Sequence, residues 1–445
     1  MDLSRHHIPE KDFFALAAGG GGARALTALH AAQRSKRMLL IHGVQNAAVK
    51  VGHAEADQAR RAYRLLADIE QTHPAQTWSV LSYPLVGVWA RRTLLALLGE
   101  QGDPKTAHPG ELAALAAAAA VRARRPCTVE VPVREGAVIL PSLGRALLPG
   151  QDTALVRSSP DRSEVIAAGT TITIPADPHE DGPGWQALRR LRAQWQGSRV
   201  EFLLDDHDPD RAPGSAPLDR RLTDEELRHW RETLQQAWRI LCSGHWTTAE
   251  EVVSSITVLT PLTPPKQGQS SATPRHAFGN VGLSTPPDPH FFAVTLAHEV
   301  QHTKLSALLD VVPLTLPDDG SRYYAPWRED PRPAEGLLQG TYAHLGIAGF
   351  WRRQRERESG PLALRAHSDF ARWREAADLG ARTLLASGRL TPEGEAFVAR
   401  MRRTLRPWLD EPVSRPALER AHEAARRHLT RWRLRNGEPS LLPAS

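Results

Sequence analysis

Two histidines four residues apart are the clearest chemical signal in this sequence of 445 residues. They are His298 and His302, in the motif His298-Glu299-Val300-Gln301-His302. On a helix this spacing places both imidazoles on one face, where they can bind one metal ion. Glu299 is one position further round, near enough to contact a metal-bound water. The motif predicts a metal centre with two histidine ligands and a catalytic Glu299. Two histidines packed in a core are the alternative.

Two histidines do not complete a metal site, so a third ligand is expected from another element. The next predicted helix begins at Pro333 and carries three candidates, Glu335, Gln339 and His344. Glu335 and Gln339 share a face, whereas His344 lies about 140° from Gln339 around the helix. Glu335 would give a zinc peptidase pattern, and His344 is chemically the best donor. Gln339 is the weakest donor, but it lies one turn past Glu335, so all three stay open.

The segment from 323 to 333, between these two helices, is dense in aromatic, arginine and proline residues. Ordering such a segment costs conformational entropy, and this cost must be offset by contacts that the segment makes, for example around a functional site. In one interpretation it is a stiff connector, in which Asp330 and Glu329 pair with its arginines. In the other, Arg328 and Arg332 form a cationic rim over the metal.

The elements that must position these residues are mainly helical. Apolar residues at three-to-four spacing predict helices over 23–43, 55–72, 83–98, 111–124, 223–241, 291–310 and 333–357, with a helical tail over 363–435. Segments 128–133 and 137–140 flank Arg134-Glu135-Gly136 and predict a hairpin. Strands are also predicted over 164–174, 199–204 and 255–259, and a loop over 261–275.

The predicted fold class is α+β and mainly helical, with a zincin-like metal helix, a small antiparallel sheet and flanking helical regions. The length of the chain, 445 residues, predicts more than one domain. We divide the chain into an N-terminal helical region (1–125), a mixed strand and helix region (126–245), the metal-site region (246–357) and a C-terminal helical region (358–445).

Composition narrows the function classes further. The net charge is +6, but no finger spacing, RNA-binding aromatic motif or phosphate loop accompanies it, so we expect no nucleic-acid partner. The two cysteines, Cys127 and Cys242, allow no Cys-x-x-Cys site and fit a reducing compartment. No stretch approaches the roughly 20 apolar residues of a membrane span. We therefore expect a cytoplasmic protein that does not engage a membrane.

Several stretches of the chain carry a family resemblance. They are residues 83–90, 116–122, 131–133, 140–141, 258–262, 277–279, 298–310, 323–340 and 350–351. With them the sequence resembles the actinobacterial HExxH-domain peptide-modifying proteins, also described as 2-oxoglutarate-dependent HExxH-type peptide beta-hydroxylases. The similarity spans roughly residues 25 to 355, and the stretch after Tyr323 is far more specific than the five-residue motif.

The resemblance implies a non-haem Fe(II) dioxygenase that uses 2-oxoglutarate and O2 to hydroxylate a ribosomally synthesised precursor peptide. It also implies a radical SAM peptide-crosslinking enzyme as a partner on the same peptide. His298 and His302 would bind the iron. The similar proteins carry Gln or His at the position of Gln339 and can carry an aromatic residue at that of His344. The resemblance therefore favours Gln339 as the metal-facing position.

The distal carboxylate of 2-oxoglutarate would need a fixed cation, and arginine suits it through its bidentate fork. Arg328, Arg332 and Lys304 are the candidates, although Lys304 points away from the histidine face. Two other functions remain open. One is a zinc metallopeptidase with Glu299 as general base and Glu335 as third ligand. The other is a non-catalytic peptide-binding scaffold.

Overall fold

The structure is a computed structural model that describes residues 6–266 and 268–438. It is about 54% helical with small sheets, which confirms a mixed α+β, mainly helical class. The N-terminal helices are α1 (Glu10–Ala17), α2 (Gly22–Lys50), α3 (Ala56–Thr72), α4 (Pro74–Leu81), α5 (Pro84–Leu97) and α6 (Leu112–Ala123). Four of them match predicted helices, and α2 extends beyond its predicted end to Lys50.

A strand-rich region follows these helices. Its strands are β1 (Cys127–Pro132), β2 (Ala137–Leu140), β3 (Gly144–Leu147), β4 (Thr153–Ser158), β5 (Ser163–Ala167), β6 (Thr170–Ile174), β7 (Trp185–Ala187), β8 (Arg189–Trp195) and β9 (Ser198–Leu204). One sheet has the order β1-β4-β5-β6, and another has the order β2-β3-β7. The strands of these two sheets pair antiparallel throughout.

The predicted hairpin between 128–133 and 137–140 is wrong. The turn exists, because Arg134 and Ala137 exchange backbone hydrogen bonds across Glu135 and Gly136. Beyond this single bridge, however, β1 pairs with β4 and β2 pairs with β3. Side chains of β1 alternate between exposed and buried over most of its length, whereas those of β2 are almost all buried. The two strands therefore belong to different layers and diverge after the turn.

The third sheet leads into the helix of the histidine motif. Its further elements are α7 (Asp224–Gly244), α8 (Trp246–Ser255), β10 (Val258–Pro261), β11 (Ser271–Ala272), β12 (Asn280–Leu283) and α9 (Pro289–Leu309). The strand order is β11-β12-β10-β9-β8, and β10 lies parallel to both β9 and β12. Every residue of β10 and β12 is buried, as expected for parallel strands covered on both faces. Instead of one small antiparallel sheet, residues 6–266 and 268–438 thus form three sheets, one of them mixed.

Four helices complete the described chain: α10 (Ala334–Gln354), α11 (Gly360–Ala386), α12 (Pro392–Leu409) and α13 (Arg415–Asn436). Helix α9 packs against α10 on one side and against α7 and α8 on others. The contact with α10 is close at Gly346, where an added Cβ would lie 3.0 Å from the carbonyl oxygen of Ala297. This close approach brings the α10 side chains to the histidine face of α9.

Buried apolar residues form three clusters. One lies within 41–188 with Val258, a second within 191–370, and a third joins residues 8–29 to residues 305–405. The third cluster packs the first helix and the start of α2 against the helices that follow the histidine motif. The division into four regions stays a prediction. Within the described residues, no helix is long and apolar enough to cross a membrane.

Candidate metal centre

The histidine pair lies in the middle of α9. Asp288 caps this helix by accepting a hydrogen bond from the backbone N–H of Phe291 at 2.7 Å, and Pro289 occupies its first turn. The helix carries His298 and His302 on one face, with ring centroids 4.8 Å apart and ring planes at 75°. Their Nε2 atoms are 3.2 Å apart.

This separation suits a shared metal ion. Two nitrogens bound about 2.1 Å from one ion, at an angle of about 100°, lie about 3.2 Å apart. A metal ligand must also be unprotonated. Burial lowers the pKa of His298 to about 4, so its ring is neutral at pH 7. The spacing of the pair and the neutral ring of His298 therefore both fit a metal shared by the two histidines.

Glu299 lies beside the pair and is 1% exposed. Its Oε1 is 3.7 Å from His298 Nε2 and has no hydrogen-bond donor among the described residues. Its Oε2 accepts a hydrogen bond from Thr273 Oγ1 at 2.6 Å. A buried carboxylate oxygen without a donor is costly, and it is satisfied when a water or substrate group donates to it. Glu299 is thus oriented by Thr273 and presents one free oxygen next to His298.

Gln339 contacts the pair from α10. Its Oε1 accepts a hydrogen bond from His302 Nδ1 at 3.0 Å, and its amide nitrogen lies 3.4 Å from Ser306 Oγ. With the proton on Nδ1, the Nε2 lone pair of His302 is free for a metal. Gln339 therefore lies where it holds His302 in the metal-binding tautomer, and its oxygen is engaged with the ring.

His344 lies in an aromatic wall next to the pair. Its ring stacks on Trp327 with centroids 4.3 Å apart and packs against Trp373 at 4.7 Å. It meets His298 edge to face at 5.4 Å, and its Nδ1 donates to the carbonyl oxygen of Gly340 at 2.8 Å. Burial holds the pKa of His344 well below its usual value. His344 is thus brought near the histidine pair as a neutral ring fixed by its neighbours.

The other third-ligand candidate, Glu335, lies apart from the pair. Its side chain is 55% exposed, and its nearest cation is Arg275 at 4.0 Å. Among the described residues, the only group of three or more His, Cys, Asp or Glu with metal-ligand spacing is His298, Glu299 and His302, whose ligand atoms lie within 4.8 Å of one another. The carboxylate expected of a zinc peptidase is not part of that group.

The predicted cations are all engaged with carboxylates. Lys304 Nζ donates to Glu251 Oε2 at 2.6 Å and to the carbonyl oxygens of Gly19 and Gly20, on the far side of α9. Arg328 and Arg332 both pair with Asp330, at 2.7 and 3.0 Å. Those last pairs are the ones expected of a stiff connector. They leave the two arginines near the start of α10.

Sequence reasoning missed three residues of the site. Thr273 lies in the segment predicted as a loop and had no distinguishing signal. Trp327 lies in the dense aromatic segment, whose composition is the only hint that it covers something. Trp373 comes from α11, outside the predicted metal-site region of 246–357. Their contacts with Glu299 and His344 depend on packing between distant parts of the chain.

No family model matches this chain, and no curated protein matches it either.

Proposed function

We propose that this protein is a non-haem Fe(II) dioxygenase that hydroxylates the β-carbon of a side chain in a ribosomally synthesised peptide. One atom of O2 would enter the peptide C–H bond, and the other would end in succinate as 2-oxoglutarate loses CO2. Helix α9 would then act as a zincin-like metal helix. The proposal includes a cytoplasmic location and a radical SAM enzyme that crosslinks the same peptide.

The position of Gln339 is the observation that carries this proposal. Gln339 contacts His302 at 3.0 Å, whereas Glu335 is largely exposed and faces Arg275. A zinc peptidase completes its metal site with a third His or carboxylate ligand. The resemblance, in contrast, places Gln or His at position 339. Of Glu335 and Gln339, which share a face of α10, the neutral amide is the one hydrogen-bonded to the pair, and this favours the hydroxylase.

Each residue of the site has a role in this proposal. His298 and His302 would hold the metal, which when bound supplies the oxygen-activating chemistry. Gln339 would keep Nε2 of His302 available, and Thr273 would aim the free oxygen of Glu299 at the same space. Glu299 would accept a hydrogen bond or a proton from a group bound beside His298. The packed rings of Trp327, His344 and Trp373 would keep water from one side of the site.

Arg332 is the stronger candidate for binding 2-oxoglutarate. Its guanidinium packs closely against Gly336 in the first turn of α10, three residues before Gln339. The side chain of Arg328 is 53% exposed, and Lys304 is bound to Glu251. In this proposal Arg332 would exchange Asp330, which is itself on the surface, for the dicarboxylate. We therefore assign the distal carboxylate to Arg332.

A zinc peptidase is the second candidate function, and the position of Glu299 beside His298 is the observation that favours it. A buried carboxylate with one unpaired oxygen next to a metal-binding histidine suits a general base for water. Metal content and reaction type distinguish the two functions. Activity with zinc and peptide cleavage would support the peptidase, and oxygen uptake with iron would support the hydroxylase.

The decisive experiment uses protein purified without oxygen. Fe(II), 2-oxoglutarate and the short peptide encoded beside its gene are added, followed by air. We expect the peptide to gain the mass of one oxygen atom, with succinate formed in step. A reaction with His298→Ala is the control. Peptide cleavage, or an unchanged peptide mass without succinate, would contradict the proposal.

A further inference from the structure

A cavity lies between α5, α6 and the chain that follows β9. Its volume is about 640 Å³, within the range of small-ligand pockets. Among the described residues that line it, none belongs to α9 or α10. The cavity is therefore separate from the candidate metal centre, and the proposed hydroxylation does not explain it.

One side of the cavity is apolar and aromatic. Val86 and Trp89 of α5 line it together with Leu115 of α6 and Ile139 of β2. The indole N–H of Trp89 donates to the carbonyl oxygen of His108 at 3.4 Å, which fixes the ring. Aliphatic stems pack on such a wall, and indole faces attract cations. The wall fits a ligand that is apolar along its length and positive at one end.

Five carboxylates line the other side, and two of them form ion pairs with arginines that also line the cavity. Glu111 pairs with Arg134, and Asp210 pairs with Arg92 at 2.7 Å. Asp208 also lines the cavity, and it forms no ion pair with any described residue. Glu135 lines the cavity without an ion pair as well, but its side chain is exposed, whereas Asp208 is partly buried. Asp208 is thus the partly buried carboxylate on this side that a cationic ligand could pair with.

The carboxylate of Asp208 has one hydrogen-bonded oxygen and one open oxygen. One of its oxygens accepts the backbone N–H of Asp210 at 2.8 Å, and the other has no donor among the described residues. Burial and the nearby Asp205 raise the pKa of Asp208 to about 7. Asp205 is itself engaged, because the Tyr83 hydroxyl donates to it at 2.6 Å. A cation in the cavity would stabilise the ionised form of Asp208.

Glu55, which also lines the cavity, offers a second oxygen. Its Oε2 accepts the backbone N–H of Gly110 at 2.7 Å, and its Oε1 is 3.9 Å from His108 Nδ1. Asp208 and Glu55 therefore each offer a single oxygen. An ammonium donates to separate oxygens one at a time, whereas a guanidinium is best matched by both oxygens of one carboxylate.

We propose that this cavity binds a primary ammonium group on an aliphatic stem, with Asp208 as the anionic partner of that group. The stem packs between Trp89, Val86 and Leu115. Two sources have this chemistry, a lysine side chain of a peptide and a free alkylamine. The site is independent of the metal-dependent function, since neither its walls nor its charges belong to the histidine helix.

Calorimetric titration of the full chain without added metal tests this site. The probes are hexylamine and 1-hexanol, which share the stem and differ in charge. We expect hexylamine to bind, and the affinity for 1-hexanol to be lower by about tenfold or more. Equal binding of the two probes, or no binding of hexylamine, overturns the proposal without using any variant.

Variants then locate the charge. Asp208→Asn keeps the shape and the bond from Asp210 but removes the charge, so hexylamine should bind no better than hexanol. Glu100→Gln, an exposed acid beyond the end of α5, is the matched control and should change nothing. Unchanged hexylamine affinity in Asp208→Asn would overturn the assignment. Among natural ligands, tighter binding of capped lysine than of 1,5-diaminopentane identifies a peptide, and the reverse identifies a free amine.

Discussion

Gln339 Oε1 accepts a hydrogen bond from His302 Nδ1 at 3.0 Å, and this bond joins α10 to the histidine pair of α9. The bond leaves His302 Nε2 facing His298 Nε2 at 3.2 Å, the separation that a shared metal needs. A metal ligand is commonly oriented by a hydrogen bond to its second ring nitrogen. Gln339 supplies that bond here with a neutral amide.

The histidine pair is expected to be essential for metal binding. His298→Ala and His302→Ala should each abolish stoichiometric binding of Fe(II) or Zn²⁺, measured by metal analysis after dialysis. Circular dichroism should show an unchanged helical content. His290→Ala is the control, because His290 lies on the same helix two turns away and pairs with Glu358 at 2.7 Å. Retention of bound metal by either site variant would show that the centre is elsewhere.

Gln339→Ala is expected to weaken the metal centre without destroying it. Removing a residue that orients a metal-binding histidine typically costs about 10- to 100-fold in metal affinity. Glu335→Ala should bind metal as the unmodified protein does, because Glu335 is not near the pair. Competition with a chelator gives both affinities. If only Glu335→Ala loses metal, Glu335 is the third ligand, and the preference for a hydroxylase must be given up.

Glu299→Gln is expected to lower turnover and to leave the metal in place. The substitution preserves the shape and the contact with Thr273 but removes the negative oxygen beside His298. Thr273→Val should have a smaller effect, since it only frees the carboxylate to rotate. Product formation and metal content are measured on the same samples. Complete loss of metal from Glu299→Gln would identify Glu299 as a ligand.

Lys304 is expected to matter for stability and not for 2-oxoglutarate. Its side chain and that of Glu251 are each 1% exposed. Lys304→Met would leave Glu251 buried without its cation, at a cost of about 3 to 5 kcal/mol in the free energy of unfolding. The double variant Lys304→Met/Glu251→Leu should recover most of this loss. Denaturant titrations measure both, and an unaltered stability of Lys304→Met would refute the structural role.

Arg332→Leu is expected to raise the KM for 2-oxoglutarate by about tenfold or more, because the bound carboxylate would lose its cation. The KM for peptide should change much less. Arg328→Leu is the matched control, since Arg328 shares Asp330 but is more exposed. Equal KM values for 2-oxoglutarate in Arg332→Leu and the unmodified protein would exclude Arg332 from this role.

The sequence by itself determined that His298 and His302 lie on one face of a helix, with Glu299 beside them. This follows from local geometry, because residues four apart on a helix always lie on the same side. The same local reasoning located α10 and the mainly helical class. It failed for β1 and β2, whose turn forms as predicted while their pairing depends on strands further along the chain.

Only the tertiary structure decided which residues meet the histidine pair. Gln339 and His344 lie about 140° apart around α10. Both nevertheless contact histidines of α9, because the absence of a side chain at Gly346 lets the two helices approach closely. Glu335, on the same face as Gln339, lies beyond it and faces solvent. Thr273 and Trp373 are brought in from distant segments to contact Glu299 and His344. Such contacts depend on how helices cross, and periodicity along one helix cannot encode the position of its neighbour.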